Sequence, residues 1–489
     1  MLNFPKTRLY KVLAIFVVIA VTFSFTIFYY TTSTKNYEII GFDYNRAYND
    51  LVVLTDVGEN RLTGTDNERK AAEYILGEFT KAGLSNPHVE EYPATLYEVN
   101  SASLSIIEYN SLLGIPKFNG NVKNYVHKLD FTVQSYSGTK KWSSFEDDVS
   151  AVYVGNGTDS NLYKSANGKA VIATNNDVYT ENAHGHTQLY IDAGLAGASF
   201  NIIQNEITHP QSNFKPISFS MCVYNSDGHM IPFPDSENYS KVDYAHLPSV
   251  MVSDGVGNEI RDNVINGTYR IRFSIDVTIA KRNVRVVVGD VKGKSDKFII
   301  IGAHHDSVYV GKGAMDDCSG TVEVIELARQ LAKYNGKLDK TIRFATWGGE
   351  EEGLVGSYQY FKAHMEEIKK DMIYNFNMDQ THVNLTRDNK LWILASNDNI
   401  NKDLTNIRDI LQNNEPALKK YSVSITTSRN VKGVDYETFI VEGIEGSTGG
   451  GSGDWEYHTD GDTADKINPK SLQVTARIYG SYALWLARQ

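Results

Sequence analysis

Two histidines and a set of carboxylates stand at the ends of apolar runs in this chain. His304 and Asp306 follow residues 298–301, a Phe-Ile-Ile-Ile run that reads as a strand buried on both faces. Asp316 comes ten residues after Asp306 in a small-residue turn, ahead of a helical pattern with Val324, Leu327, Ala328 and Leu331 on one side. Glu350, Glu351 and Glu352 follow a second strand-like run at 341–347, Asp379 ends a third at 372–379, and His458 lies in a Gly-rich loop at 449–461. Groups of these types at the carboxyl ends of parallel strands occupy the edge where open α/β sheets place their sites. The mixed nitrogen and oxygen set suits Zn²⁺, with Mn²⁺ or Co²⁺ as substitutes. Five ligands exceed what one catalytic zinc takes from protein; two metals sharing one carboxylate account for them and leave room for a water. A lone histidine or a run of three glutamates is ordinarily a solvated face. The recurrence at successive strand ends is what points to a metal centre.

The elements that must hold these groups follow from periodicity. Helical patterns cover 44–53 and 66–82; the second carries Ala71, Ala72, Ile75, Leu76 and Phe79 as a stripe, with Gly83 as its stop. Residues 101–108 alternate like a strand. Between 131 and 259 the texture changes to short strands, at 151–154, 169–173 and 199–203, with a turn at 193–198, which reads as an inserted domain with its own small core. Strand and helix alternate again from Tyr269: strands at 341–347, 372–379, 391–395 and 421–426, a helix at 356–365, and a closing helix at 471–489. The alternation reads as an α/β chain with a β-rich insertion.

The chain has 489 residues and a net charge of −11, which argues against a nucleic-acid surface. Lys6, Arg8 and Lys11 precede residues 12–30, an uncharged run rich in Val, Ile and Phe and long enough to span a bilayer. With the basic residues inside, the rest of the chain faces the extracytoplasmic side. The expectation is a cytoplasmic stub and transmembrane anchor over 1–35, the alternative being a cleaved secretory signal. Two cysteines, Cys222 and Cys318, form no disulfide framework; Cys318 is expected to fill a small-residue position beside the site.

The motifs GAHHDS (302–307), GAMDDCSG (313–320), WGGEEEGLVGS (347–357), NMD (377–379) and YHTDGDT (457–463) resemble those of the co-catalytic zinc peptidases, family M28, which includes aminopeptidases and glutamate carboxypeptidases. NRLTGTDNERKAAEYI (60–75) resembles the family's first helix, and DYETFIVEGI (435–444) the strand before its last ligand loop. The stretches GKAVIATNN (168–176) and AGLAGASF (193–200) resemble a protease-associated domain. The resemblance implies a zinc-peptidase fold, a mixed, mostly parallel sheet sandwiched by helices, in two parts, 36–130 and 260–489, around a β-rich protease-associated insertion at 131–259. It further implies two Zn²⁺ per chain, one held by His304 and Asp379, the other by Glu351 and His458, with Asp316 bridging. Glu350 would be the general base toward a water that both metals activate. Asp306 would hydrogen-bond His304, Asp462 would do the same near His458, and Tyr457 would stabilise the oxyanion.

The activity implied is that of an exported, membrane-anchored aminopeptidase acting on peptides. A carboxypeptidase or dipeptidase on the same core is the nearest alternative; it needs a cationic clamp, for which Arg387, Arg408 and Arg429 are candidates. A receptor-like scaffold would have lost ligands, and acyl transfer on a single zinc would not need all five. The insertion either shapes access to the cleft or acts as a spacer.

Overall fold

The computed structural model describes residues 35–489 except 113–114, 176–184, 206–214, 237–238, 240–243, 245–246, 386–387 and 452–455. The apolar run at 12–30 and Arg387 therefore lie outside the described residues. Among the described residues no helix is long and apolar enough to cross a membrane.

A nine-stranded sheet carries the fold. From edge to edge it runs Ser422–Thr427, Lys390–Ala395, Gly446–Gly451, Met372–Met378, Phe298–His304, Thr341–Trp347, Tyr269–Val291, Ser85–Leu112 and Ile115–Tyr125. The four strands from Gly446–Gly451 to Thr341–Trp347 are mutually parallel, and antiparallel neighbours flank them on both sides. Every residue of Phe298–His304 is buried, as a strand covered on both faces requires. Phe298 and Ile300 pack with Tyr360, Phe361 and Phe439. By alternation Ile299 and Ile301 face the helices Ser319–Leu331 and Gln473–Ala487, which contact this strand. Full burial of each of these isoleucines is worth about 1.5–3 kcal/mol over exposure.

The helix Asp66–Ala82 matches its pattern. Thr65 accepts from the Glu68 amide, Gly83 ends it at φ 82°, and Ala71, Ala72, Ile75 and Phe79 are buried. It lies so close to the sheet that a Cβ at Gly289 would come within 2.8 Å of Leu84 and 3.3 Å of Phe79.

Three expectations change. The alternation at 101–108 belongs to a 28-residue strand, Ser85–Leu112, paired antiparallel with the 23-residue strand Tyr269–Val291. Its first half mixes polar and apolar residues on both faces and carries two prolines, Pro87 and Pro93, which hides the period. Residues 193–198 are in part the end of a helix, Gly185–Leu195. Residues 435–444 hold the short helix Tyr436–Ile440 and a turn, and the strand ahead of the last ligand loop is Gly446–Gly451. That strand has no β-branched or aromatic signature beyond Thr448, so sequence periodicity missed it.

The distal part of the long two-stranded ribbon packs on a second sheet, ordered Phe131–Val133, Ser249–Val252, Phe200–Gln204, Ala170–Thr174 and Ala151–Tyr153. Ribbon residues Leu104, Ile106, Ile271, Phe273 and Ile275 share one core with Val171, Ile172, Phe200, Ile202 and Val250. Phe200 stacks flat on Phe273, ring centroids 4.0 Å apart. A small hairpin, Cys222–Tyr224 with Met230–Pro232, reaches from this part to the main sheet's loops, where Cys222 and Met230 pack on Leu354. Cys222 and Cys318 are both buried and unbridged.

Candidate metal centre

The parallel strands Phe298–His304, Thr341–Trp347, Met372–Met378 and Gly446–Gly451 end at one edge, and the chemistry follows directly from their ends. His304 is the last residue of the first; Glu350 and Glu351 lie in the turn after the second; Asp379 follows the third. Two groups of ligand atoms result, each within 4.8 Å: His304, Asp316 and Asp379, and Asp316, Glu351 and His458. Asp316 belongs to both. Its Oδ1 lies 3.1 Å from His304 Nε2 and its Oδ2 lies 3.1 Å from His458 Nε2. Glu351 Oε2 is also 3.1 Å from His458 Nε2. All five residues are buried.

Buried carboxylates at this density demand a counter-charge. Among the described residues, no Lys or Arg pairs with Asp316, Glu350, Glu351, Asp379 or Asp435, and Glu351 Oε1 is buried with no protein partner. Each group offers one imidazole nitrogen and two carboxylates, the three-ligand set of catalytic zinc sites. The residues fit zinc.

The protonation balance reflects the same crowding. Burial pushes the Glu350 carboxyl well above the usual range; His304 opposes this, and Asp379, Glu351 and Asp435 reinforce it. Burial likewise raises Asp379 and Asp435 to about 7. For His458, burial disfavours the charged ring, but Glu351 and Asp316 outweigh it and lift the pKa to about 10. Burial also works against ionised Asp316, yet hydrogen bonds from both histidines hold its carboxyl below the ordinary range.

Asp306 ties the first two strand ends together. Its Oδ1 lies 3.3 Å from His304 Nδ1, off the line of a good hydrogen bond. Its two oxygens accept from the Glu350 and Glu351 amides at 3.3 Å, and Oδ2 accepts from Thr63 Oγ1 at 2.9 Å. Arg61 does comparable work on the next loop. Its buried guanidinium donates to the carbonyls of His305 (2.7 Å), Gly313 (2.9 Å), Asp306 (3.3 Å) and Lys312. The loop between His304 and Asp316 is thus wrapped around one fork of donors, which a lysine could not reproduce.

A cleft of about 100 Å³ opens over the ligands, lined by Asp316, Glu350, Asp379, Trp392, Val434 and Tyr457 among others. The Trp392 indole donates to the Gly451 carbonyl at 2.7 Å, and a Cβ at Gly450 would lie 2.5 Å from its ring. On the other side, His186, Phe219, Ser220 and Cys222 of the second sheet's segment face Glu350, Glu351, Tyr457 and His458.

A family model described as "Peptidase family M28" matches residues 286–483, which contain all five ligand candidates. These residues form a peptidase family M28 domain. Aminopeptidase Y of Saccharomyces cerevisiae is 35% identical over 136 residues, covering 27% of this chain and 25% of the yeast protein's length. Human carboxypeptidase Q is 22% identical over 464 residues, 91% of this chain and 86% of that protein. A zinc aminopeptidase from Bacillus subtilis shares the fold with a TM-score of 0.66 at 20% identity, over 92% of this chain and 96% of that one.

Within this M28 domain the structure corrects one expected contact. Asp462 does not touch the His458 ring; it accepts from the amides of Met315 and Asp316 at 2.6 and 3.1 Å and so holds the turn that presents Asp316. Burial raises its pKa to about 7, although the Met315 amide opposes the shift. The second nitrogen of His458, Nδ1, instead faces the Ser218 carbonyl at 2.6 Å. Tyr457 stacks on His458 at 3.7 Å between ring centroids. Cys318 is buried and in neither ligand group. Arg61 and Thr63 lie in the NRLTGT stretch, where the sequence displays a motif; Ser218 lies in none.

Proposed function

We propose that this chain is an exported, zinc-dependent aminopeptidase that removes amino-terminal residues from peptides. The observation that carries it is the pair of ligand groups sharing Asp316, beside a cleft rich in carboxylates. His304, Asp316, Asp379, Glu351 and His458 would hold two Zn²⁺, which supply Lewis-acid activation of water and of the scissile carbonyl. Glu350, in neither ligand group but lining the cleft, takes the proton from the attacking water and passes it to the leaving amine. Tyr457 lines the same cleft and donates its hydroxyl to the oxyanion. Asp306, through the amides it accepts, orients Glu350 and Glu351 together.

The choice of end rests on charge. Among the described residues lining the cleft there are three carboxylates and no Lys or Arg, which favours a substrate ammonium over a substrate carboxylate. Arg408 is occupied by Asp409 and the Val423 carbonyl, and Arg429 by Glu445. A carboxypeptidase reading has one observation in its favour, the match to carboxypeptidase Q along 91% of this chain. One peptide offered with both ends free, with the amino end blocked, and with the carboxyl end blocked separates the two. Chelator-sensitive loss of amino-terminal residues, abolished by the amino block alone, is the expected result by mass spectrometry. Trimming from the carboxyl end would replace the assignment.

Residues 131–259 act in this reading as a protease-associated domain walling the cleft. The basic residues before 12–30 support an anchored chain with its domains outside the cytoplasm. After carbonate washing of membranes the protein should remain in the pellet; a soluble form cut near residue 35 would mean a cleaved signal instead.

A further inference from the structure

We infer that the inserted segment 215–220 is a positioning element for the metal ligand His458, so that retention of one metal depends on a domain that contributes no ligand. The inference rests on the metal-centre reading above.

His458 needs holding. It sits in a loop rather than on a strand, with φ 54°, a left-handed conformation that is strained for a non-glycine residue. Its Nε2 faces Asp316 and Glu351 only if the ring keeps one orientation and Nδ1 carries the proton. Nothing on the last strand or on the helix Gln473–Ala487 supplies that restraint: the acceptor for Nδ1 is the Ser218 carbonyl, 2.6 Å away. The contact is reciprocal, because the Ser218 amide donates to the His458 carbonyl at 3.1 Å. Both backbone and ring of His458 are therefore clamped by one residue of the insertion.

Flanking contacts fix the clamp in place. Phe219 meets the His458 ring edge-on at 5.2 Å and Tyr457 at 6.1 Å. His186, on the helix Gly185–Leu195, stacks on Phe219 at 5.1 Å and bonds the Ser220 carbonyl at 2.7 Å. Lys215 pairs with Asp460, two residues past His458. A carbonyl that accepts from the free nitrogen of a ligating imidazole sets tautomer and orientation, and loss of such partners lowers metal affinity about 10–100-fold. The other group, His304 with Asp379, takes its support from Asp306 and from the strands themselves, so it does not share this dependence.

The test is competition of the purified full chain, loaded with Zn²⁺, against a chromophoric chelator. In Lys215→Ala/Phe219→Ala, one of two Zn²⁺ equivalents is expected to weaken 10–100-fold while the other keeps its wild-type affinity. Ser218→Pro, which removes the amide donor and keeps the carbonyl, should weaken the same equivalent. Lys215→Arg and Phe219→Tyr should retain both. Two equivalents at wild-type affinity with only KM raised would overturn the inference, leaving the segment as a cleft wall. So would equal weakening of both equivalents together with a lower unfolding midpoint of the metal-free protein, which would mark a merely structural role. A wild-type chain that binds no Zn²⁺ would instead remove the metal-centre reading itself.

Discussion

Glu350→Gln is expected to lower kcat by about 10²–10⁴-fold, the contribution of a positioned general base, with two Zn²⁺ still bound and the unfolding midpoint essentially unchanged. The substitution keeps volume and hydrogen-bonding shape and removes only the ability to take a proton. Glu350 is in neither ligand group, so metal content should not respond. Its backbone amide still donates to Asp306, so Glu351 keeps its place. The case for Glu350 over its neighbours is geometric. Glu351 Oε2 is committed to the His458 side at 3.1 Å, and Glu352 is not among the residues lining the cleft; burial, with Asp306 beside it, pushes its carboxyl well above the usual range. Measuring single-turnover rates and bound metal on the same sample decides it. Retained turnover in Glu350→Gln would move the base to another carboxylate.

Asp316→Ala should be more damaging, because one side chain serves both groups. Without it each group falls to two protein ligands, below the three that a catalytic zinc site takes from its protein. Both ions should be lost together, activity should fall to the level of chelated wild type, and added Zn²⁺ should no longer raise the unfolding midpoint through mass action. Asp379→Ala makes the contrast: it belongs to one group only, so a single equivalent should be lost. Metal analysis after gel filtration distinguishes the two patterns. If Asp316→Ala still held one equivalent tightly, the shared-ligand geometry would be wrong.

Much of this site was visible in residue types. His304, Glu351 and Asp379 lie at or just beyond runs with strand character, Asp316 in a small-residue turn and His458 in a Gly-rich loop; ligand chemistry resides in the side chain, so a sequence displays it directly. The central strands were equally legible: Phe298–His304 is buried throughout and opens on a continuous apolar run, and Thr341–Trp347 and Met372–Met378 are mostly buried and rich in aromatic and β-branched or other large apolar residues. Less visible was Gly446–Gly451, a strand of small residues whose place comes from pairing with Met372–Met378 and Lys390–Ala395. The extent of Ser85–Leu112 was hidden for a related reason: its partner Tyr269–Val291 lies far along the chain and supplies the order that its own sequence does not advertise.

By itself, then, the sequence determined which side chains could serve a metal and the three strands that precede His304, Glu350 and Asp379, because these are written in side-chain chemistry and short-range periodicity. Only the tertiary structure decided how those atoms are held. That Asp462 serves the Asp316 turn while Ser218, 240 residues before His458, accepts from its ring depends on packing between residues 215–220 and the loop that carries His458. The decisive acceptor there is a backbone carbonyl, a group that every residue possesses and no sequence pattern can single out.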